Sequence, residues 1–338
     1  MSNSMYYDVN DALSYNCLFT FVVSGRGYGK SFSAKKRCLK NFLSKGEQFV
    51  ILRRYKSEHK KADQYFNDVV QKCPEFEGVE IKYNKGQYLI NKKVAGYAMS
   101  LSTQVIEKSI PYPDVTLIVF EEFLIQNRGT GYHYIRDEVE VFLETYSTIA
   151  RDRDVRVLFL ANAITMYNPY FRYFNLYLKP DATKCRNGDV ILLKVAGEEF
   201  TQHMEKTRFG KIIAGTRYGQ YAIGNESLQD DNAFLEKKTD NCSYYLTFLS
   251  DGEQYGVWQD DKTAILYVSQ DVDPYCRKKF VFSASDHKPN LILLKSISSD
   301  LSWRFCALMY KAGNMRFEDG RSKAAWLNIM SMVHEVRV

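Results

Sequence analysis

Residues 21–31 read FVVSGRGYGKS, an apolar run that breaks into glycines and closes on Gly29-Lys30-Ser31. A buried strand that runs into a glycine turn and then opens a helix makes successive backbone N–H groups converge, and the helix N-terminus adds partial positive charge. Such a stretch is a phosphate-binding loop, here built from Ser24, Gly25, Arg26, Gly27, Tyr28, Gly29, Lys30 and Ser31. Lys30 is placed to neutralise the outer phosphates of a nucleotide, and Ser31 to offer a hydroxyl to Mg2+. One position departs from the usual spacing: Ser24 stands where a glycine is expected, five residues before Gly29.

Downstream, residues 116–123 read TLIVFEEF, a run that resembles a Walker B strand. A buried parallel strand is apolar throughout and only its C-terminal tip reaches the ligand side of the sheet, so acids belong at that tip. Glu121 is expected in the metal shell, and Glu122 as the group that orients and deprotonates an attacking water. Glu121 is one methylene longer than the aspartate commoner there, which suits contact with the metal through a water and leaves the two roles exchangeable. Neighbouring strand residues face opposite ways, so both acids serve one site only if the chain turns between them. A third apolar run, 155–161, ends at Asn162. P-loop ATPases with an extra strand between the two motifs carry a polar sensor of the terminal phosphate at that place.

The 338 residues are 45% hydrophobic, enough for a large and a smaller core, and the net charge is +6. This mild basic excess permits nucleic-acid binding without requiring it. Seven scattered cysteines with no CxxC pair, and five isolated histidines, suggest neither a disulfide framework nor a zinc site. No apolar run approaches the roughly twenty residues of a membrane span, and the start MSNSMYYDVND is not a signal peptide. A soluble protein of a reducing cytosol, with no membrane partner, is expected. The 25 Tyr and 21 Phe point to core and interface packing.

A helix over 30–44 followed by a strand over 48–54 calls for a right-handed parallel crossover, which is α/β architecture. The pattern further predicts a helix over 58–72, short strands between 79 and 101 with a hairpin at Lys85-Gly86, a helix over 134–150 and strands between 189 and 196. Residues 197–240 read as a linker or small helical lid, without an internal repeat. Strands at 243–249, 254–259 and 263–269 form a meander, followed by helices at 299–312 and 321–335. The expected domains are 1–196 for nucleotide binding, 197–240 as linker or lid, and 241–338 as a smaller α+β domain.

Arg53, Arg54 and Lys56 stand at the tip of the second strand, with Lys60 and Lys61 just beyond. Such a cluster suits a grip on DNA phosphates of any sequence. Arg151 and Arg153 follow the helix that descends from the acidic tip, so they lie on the far side of the sheet, as does Lys108. If an arginine there stabilises charge on a γ-phosphoryl group, that nucleotide belongs to a neighbouring subunit, which implies a ring.

In this order the motifs resemble the DNA-packaging motor ATPases (encapsidation proteins) of small protein-primed tailed phages, within the FtsK/HerA-like additional-strand P-loop ATPases. The resemblance rests on Arg26-Gly27-Tyr28-Gly29-Lys30-Ser31, Arg53-Arg54-Tyr55-Lys56, Glu107-Lys108-Ser109, Ile118-Val119-Phe120-Glu121-Glu122-Phe123, Asn162-Ala163 and Lys206-Thr207-Arg208-Phe209-Gly210. It implies an α/β additional-strand ATPase domain with a mainly parallel sheet, and a smaller α+β C-terminal domain similar to a vestigial RNase H-like nuclease. It implies ATP and Mg2+ as cofactors, and hydrolysis that drives double-stranded DNA inward. It also implies a homo-oligomeric ring, usually pentameric, docked on the viral portal of a procapsid in the host cytoplasm. A structural RNA is a further candidate partner. By motif match Lys30, Ser31, Glu121 and Glu122 inherit catalytic roles, Arg151 or Arg153 and Lys108 the trans-acting ones, and Lys56 a DNA contact. No metal triad stands out among Asp251, Asp260, Asp261 and Asp286. A cellular DNA translocase or helicase of the same group, and a non-catalytic nucleic-acid-binding scaffold with a decayed loop, are the alternatives.

Overall fold

A computed structural model of the chain describes residues 5–106, 111–125, 134–135, 137–163, 165, 168–178, 182–224, 234–250, 252–282, 287–294 and 299–334. Two compact units divide it, 1–166 with 174–229, and 167–173 with 230–338.

In the first unit α1 (Val9–Leu13) leads into β1 (Phe19–Ser24), α2 (Lys30–Lys45) and β2 (Gln48–Arg53). Next come α3 (Asn67–Lys72), β3 (Ile81–Asn84), β4 (Gln87–Ile90) and β5 (Lys93–Ser100). Then follow β6 (Val115–Glu121), α4 (Glu138–Ala150) and β7 (Arg156–Asn162). The strands order as β3-β4-β5-β2-β6-β7-β1, with β9 (Val190–Val195) and β8 (Lys184–Asn187) beyond β1. From β5 to β9 all neighbours run parallel, and the antiparallel pairings fall at the two edges. Strand β7 lies between β1 and β6, so the glycine turn and the acidic tip stand two strands apart, about 10 Å.

Alternation along the strands sorts the core into two faces. Val22, Ile51, Val119 and Leu160 pack with α1, Ala34, Cys38 and Leu39 of α2, and Val69 of α3. On the other face the core is aromatic: Phe21 stacks on Phe159 at 4.0 Å, and Phe19, Phe120, Phe142 and Tyr146 close around them. The hairpin between β3 and β4 turns on Lys85 and Gly86, both at positive φ (45° and 87°), as a two-residue primed turn requires.

Three segments differ from the sequence expectation. The helix expected over 58–72 is broken into single 3-10 turns at Lys56–His59 and Ala62–Gln64, leaving α3 as its last part. Glu58 reaches back to the Tyr55 N–H at 2.6 Å and closes the first turn on itself, and the few buried anchors here (Ala62, Phe66, Val69) do not support a continuous helix. Helix α4 starts at Glu138, because Asp137 before it is left-handed at φ 52°. Finally, β8 precedes β9 on the edge of the sheet, which polar Lys184–Asn187 did not announce.

Residues beyond β9 fold within the first unit as α6 (Glu198–Lys206), α7 (Arg208–Ile213) and α8 (Arg217–Ala222). They contain a repeat after all: TRFGKIIAG at 207–215 and TRYGQYAIG at 216–224. In each copy the threonine hydroxyl accepts from the N–H of the glycine three residues on, at 2.9 Å for Thr207 and 3.0 Å for Thr216. A Cβ on Gly210 would lie 1.9 Å from the Met204 carbonyl oxygen, and one on Gly219 2.2 Å from that of Ile213. Glycine recurs because each helix start presses on the carbonyl end of the helix before it.

The second unit holds α5 (Pro169–Tyr173), β10 (Cys242–Ser250), β11 (Glu253–Asp260), β12 (Ile265–Ser269), β13 (Lys279–Val281), β14 (Ile292–Leu293), α9 (Leu301–Lys311), β15 (Met315–Phe317) and α10 (Gly320–His334). Its sheet runs β14-β13-β10-β11-β12-β15. The three antiparallel central strands are the expected meander, and the short parallel additions at both edges were not legible. Trp303 and Trp326, both fully buried, stack at 5.4 Å over Phe248. Asp260 caps a turn, accepting from the N–H groups of Lys262 and Thr263 and from Thr239, while Asp261 accepts from Ser243. Among the described residues no group of three or more His, Cys, Asp or Glu is placed to hold a metal. Asp251 and Asp286 lie outside the described residues.

Candidate active site

The glycine turn joins β1 to α2. Gly27 (φ 82°) and Gly29 (φ 92°) occupy the left-handed region that side-chain-bearing residues avoid. Gly29 is the N-cap of the 16-residue α2 and supplies no side-chain cap, so the first N–H groups of that helix keep their donor capacity for a ligand. Ser24 closes β1 with ordinary strand geometry, hence the missing glycine costs no backbone freedom. Its hydroxyl accepts from Lys30 Nζ at 2.5 Å and donates to the Gly25 carbonyl at 2.9 Å.

Lys30 is the electrostatic centre of the site. It is 7% exposed, and its ammonium donates to Ser24 Oγ, to the Gly25 carbonyl at 3.2 Å and to Asn162 Oδ1 at 3.4 Å. All three partners are neutral, and among the described residues no carboxylate pairs with it. Burial alone pushes its pKa down to about 7. A cation desolvated without a counter-charge is costly, and an anion delivered against it recovers that cost. The contact to Asn162 runs from the head of α2 to the end of β7, which is in register with the end of β1 at Ser24 and Asn162.

The acidic tip lies one strand further. Glu121, 3% exposed, accepts from Arg53 Nη2 through Oε2 at 2.5 Å, while its buried Oε1 has no hydrogen-bond partner among the described residues. Glu122 turns the chain: its φ is 56°, a left-handed conformation that costs a non-glycine residue about 1–2 kcal/mol. Its N–H donates to the Leu160 carbonyl at 2.8 Å, and its exposed carboxylate comes within 3.3 Å of Arg53 Nη1. That turn removes the strand alternation, and one guanidinium spans both acids. The set as a whole suits a nucleoside triphosphate with a divalent cation: converging N–H donors, an uncompensated ammonium, the Ser31 hydroxyl at the second helical residue, and an orphaned carboxylate oxygen.

The basic cluster separates by burial. Arg53 is consumed by Glu121 and Glu122, and Arg54, 2% exposed, forks onto Glu138 at 2.7 and 2.9 Å. Both, expected as DNA contacts, are engaged by glutamates within the chain, Arg53 at the end of β2 and Arg54 just past it. Lys56, Lys60 and Lys61 remain on the surface. Two adjacent arginines at a strand tip were the legible signal for this clamp, but Glu138, at the head of α4, carried none.

On the far side, Arg153, expected as a trans-acting candidate, is engaged within its own chain. Its guanidinium donates to the carbonyls of Tyr112, Pro113, Val115 and Ile149 at 2.6–2.8 Å, tying the entry of β6 to the end of α4. Arg151 is exposed, at the C-cap of α4, at the end of the sheet opposite Asn162. Lys108 lies outside the described residues. Arg26 is exposed on the loop, and Tyr28 packs against Tyr7 and Phe200 at 5.8 and 5.2 Å.

The profile of the podovirus DNA encapsidation protein (Gp16) family matches residues 1–332. The DNA packaging protein of Bacillus phage B103 is 36% identical over 310 residues, spanning 91% of this chain and 94% of that protein. That of Bacillus phage phi29 is 35% identical over 323 residues, 94% of this chain and 95% of its own length. Among solved structures, a chain of the phi29 viral genome packaging motor assembly superposes with a TM-score of 0.75 at 31% identity, covering 98% of this chain and all of that one. The N-terminal domain of the phi29 DNA packaging ATPase gives 0.53 at 37% identity, over 58% of this chain and 100% of the domain. With the strand order and the glycine-turn site already in place, these likenesses make the chain a genome-packaging ATPase that belongs to the podovirus DNA encapsidation protein family.

Proposed function

We propose that this chain binds ATP with Mg2+ at the glycine turn and hydrolyses it to drive double-stranded DNA into a phage procapsid, as one subunit of a ring. The observation that carries the reading is the buried Lys30 ammonium at the head of α2, held among the described residues by neutral oxygens only. Lys30 neutralises the outer phosphates, and the N–H groups of 25–31 cradle them. Ser31 and Glu121 would hold the Mg2+, which supplies charge neutralisation on the phosphates when bound. Glu122 takes the proton of the attacking water, and Asn162, through Lys30, registers the terminal phosphate.

Around that chemistry, Lys56, Lys60 and Lys61 grip DNA phosphates without reading sequence. Arg151, on the far side, stabilises charge on the neighbouring subunit's nucleotide, which makes the ring a condition for turnover. A viral portal is the docking partner, in the host cytoplasm, with a structural RNA as a further one. Hydrolysis of Mg·ATP measured with and without duplex DNA tests this. We expect DNA to raise turnover in the wild type, and Lys30→Ala to abolish nucleotide binding. Unchanged nucleotide affinity in Lys30→Ala would refute the site.

A further inference from the structure

We infer that Arg54 and Glu138 are positioning residues for Glu122, a role that rests on reading Glu122 as the hydrolytic base. Arg54 Nη1 donates to the carbonyl of Glu122 itself at 3.1 Å, and Nη2 to that of Phe123 at 2.6 Å. Nε and Nη2 fork onto the Glu138 carboxylate at 2.7 and 2.9 Å. Glu138 Oε2 also accepts the Ile135 N–H at 2.9 Å, and the Tyr134 ring lies 5.0 Å from the guanidinium. With its N–H on Leu160 and its carbonyl on Arg54, Glu122 has both backbone groups committed on either side of a left-handed φ. A side-chain-bearing residue keeps such a conformation only where its surroundings over-determine it.

A buried ion pair is a poor source of stability, since apolar side chains of similar volume often do as well. Its worth here is geometric. It fixes where a solvent-exposed carboxylate points, from the buried side of the turn. Arg53 acts differently, on the carboxylates; Arg54 holds the backbone that carries them.

The test uses the full-length chain and compares five forms: wild type, Arg54→Met with Glu138→Leu, that pair with Glu122→Gln added, Arg54→Lys alone, and Glu122→Gln alone. Nucleotide affinity and single-turnover hydrolysis are measured for each. For the apolar pair we expect a cooperative melt and ATP affinity within about 3-fold of wild type, with hydrolysis down roughly 100-fold, the scale of a small misplacement. Adding Glu122→Gln to the apolar pair should then lower the rate no further than Glu122→Gln alone. Arg54→Lys keeps a buried cation for Glu138 but loses the fork, and it should show the same split of lost turnover and kept affinity. That variant decides the matter if the apolar pair does not fold. Near-wild-type hydrolysis in a folded apolar pair or in Arg54→Lys, with Glu122→Gln inactive, overturns the positioning role and leaves the active site intact. Wild-type hydrolysis in Glu122→Gln overturns both.

Discussion

Lys30 shows how one residue's environment sets its chemistry. Its ordinary pKa of 10.5 falls to about 7 on burial. A bound triphosphate restores the charge, so at pH 8.5 ATP binding takes up a proton at Lys30, whereas at pH 6 the ammonium is already formed. Calorimetry in buffers of different ionisation enthalpy should show uptake at the higher pH only, with affinity falling as pH rises above about 7; buffer-independent heats at pH 8.5 would contradict this. The linkage to folding has the same origin. The unfolded chain binds the extra proton between about 7 and 10.5, so the cost of burying this cation is full below that window and is relieved as pH rises through it. Lys30→Met should remove that part of the pH dependence of the melting temperature. Ser24→Ala deletes the 2.5 Å partner of the ammonium and should weaken nucleotide binding more than it weakens folding.

At the scale of elements, β6 and α4 form a frame whose two ends do different work. The frame's near end carries Glu122, and its far end carries Arg151 and Arg153. Arg153→Ala strips four carbonyls of their donor and should cost roughly 1–3 kcal/mol of stability. Arg151→Ala should leave the melting temperature within about a degree while lowering hydrolysis in the assembled state, since an exposed cap residue contributes little to folding. Equal losses of stability in both variants would contradict that division. In the helical segment beyond β9, Gly210→Ala places a methyl against the Met204 carbonyl and should destabilise by roughly 1–3 kcal/mol.

The same frame shows what sequence carries. Continuous apolar runs announced β1, β6 and β7; Glu121, Glu122 and Asn162 were read at the ends of two of them, because a buried strand leaves polar chemistry only at its end, and Lys30 past the glycine turn that follows β1. The side of the sheet that a tip residue faces is set by a left-handed turn at Glu122 and by partners such as Glu138 more than eighty residues from Arg54. Nothing local encodes those. Strands as short as β13, β14 and β15 show no period, and the nine-residue repeat of α7 and α8 is shorter than the repeats of stacked architectures.

For the whole molecule, the proposed ring would share catalysis between copies. If Arg151 serves a neighbour, Glu122→Gln subunits can lend an arginine to Arg151→Ala subunits that still own a base. Mixing the two inactive variants under assembly conditions with DNA should therefore restore part of the hydrolysis; a mixture as inactive as its components would place Arg151 outside the reaction. The most direct measurement concerns the site on which everything else depends. Single-turnover hydrolysis of Mg·ATP by full-length Glu122→Gln should fall by roughly 10²–10⁴-fold while nucleotide affinity stays within about 3-fold of wild type. Hydrolysis at the wild-type rate in that variant would contradict the assignment of the acidic strand tip to the water-activating role.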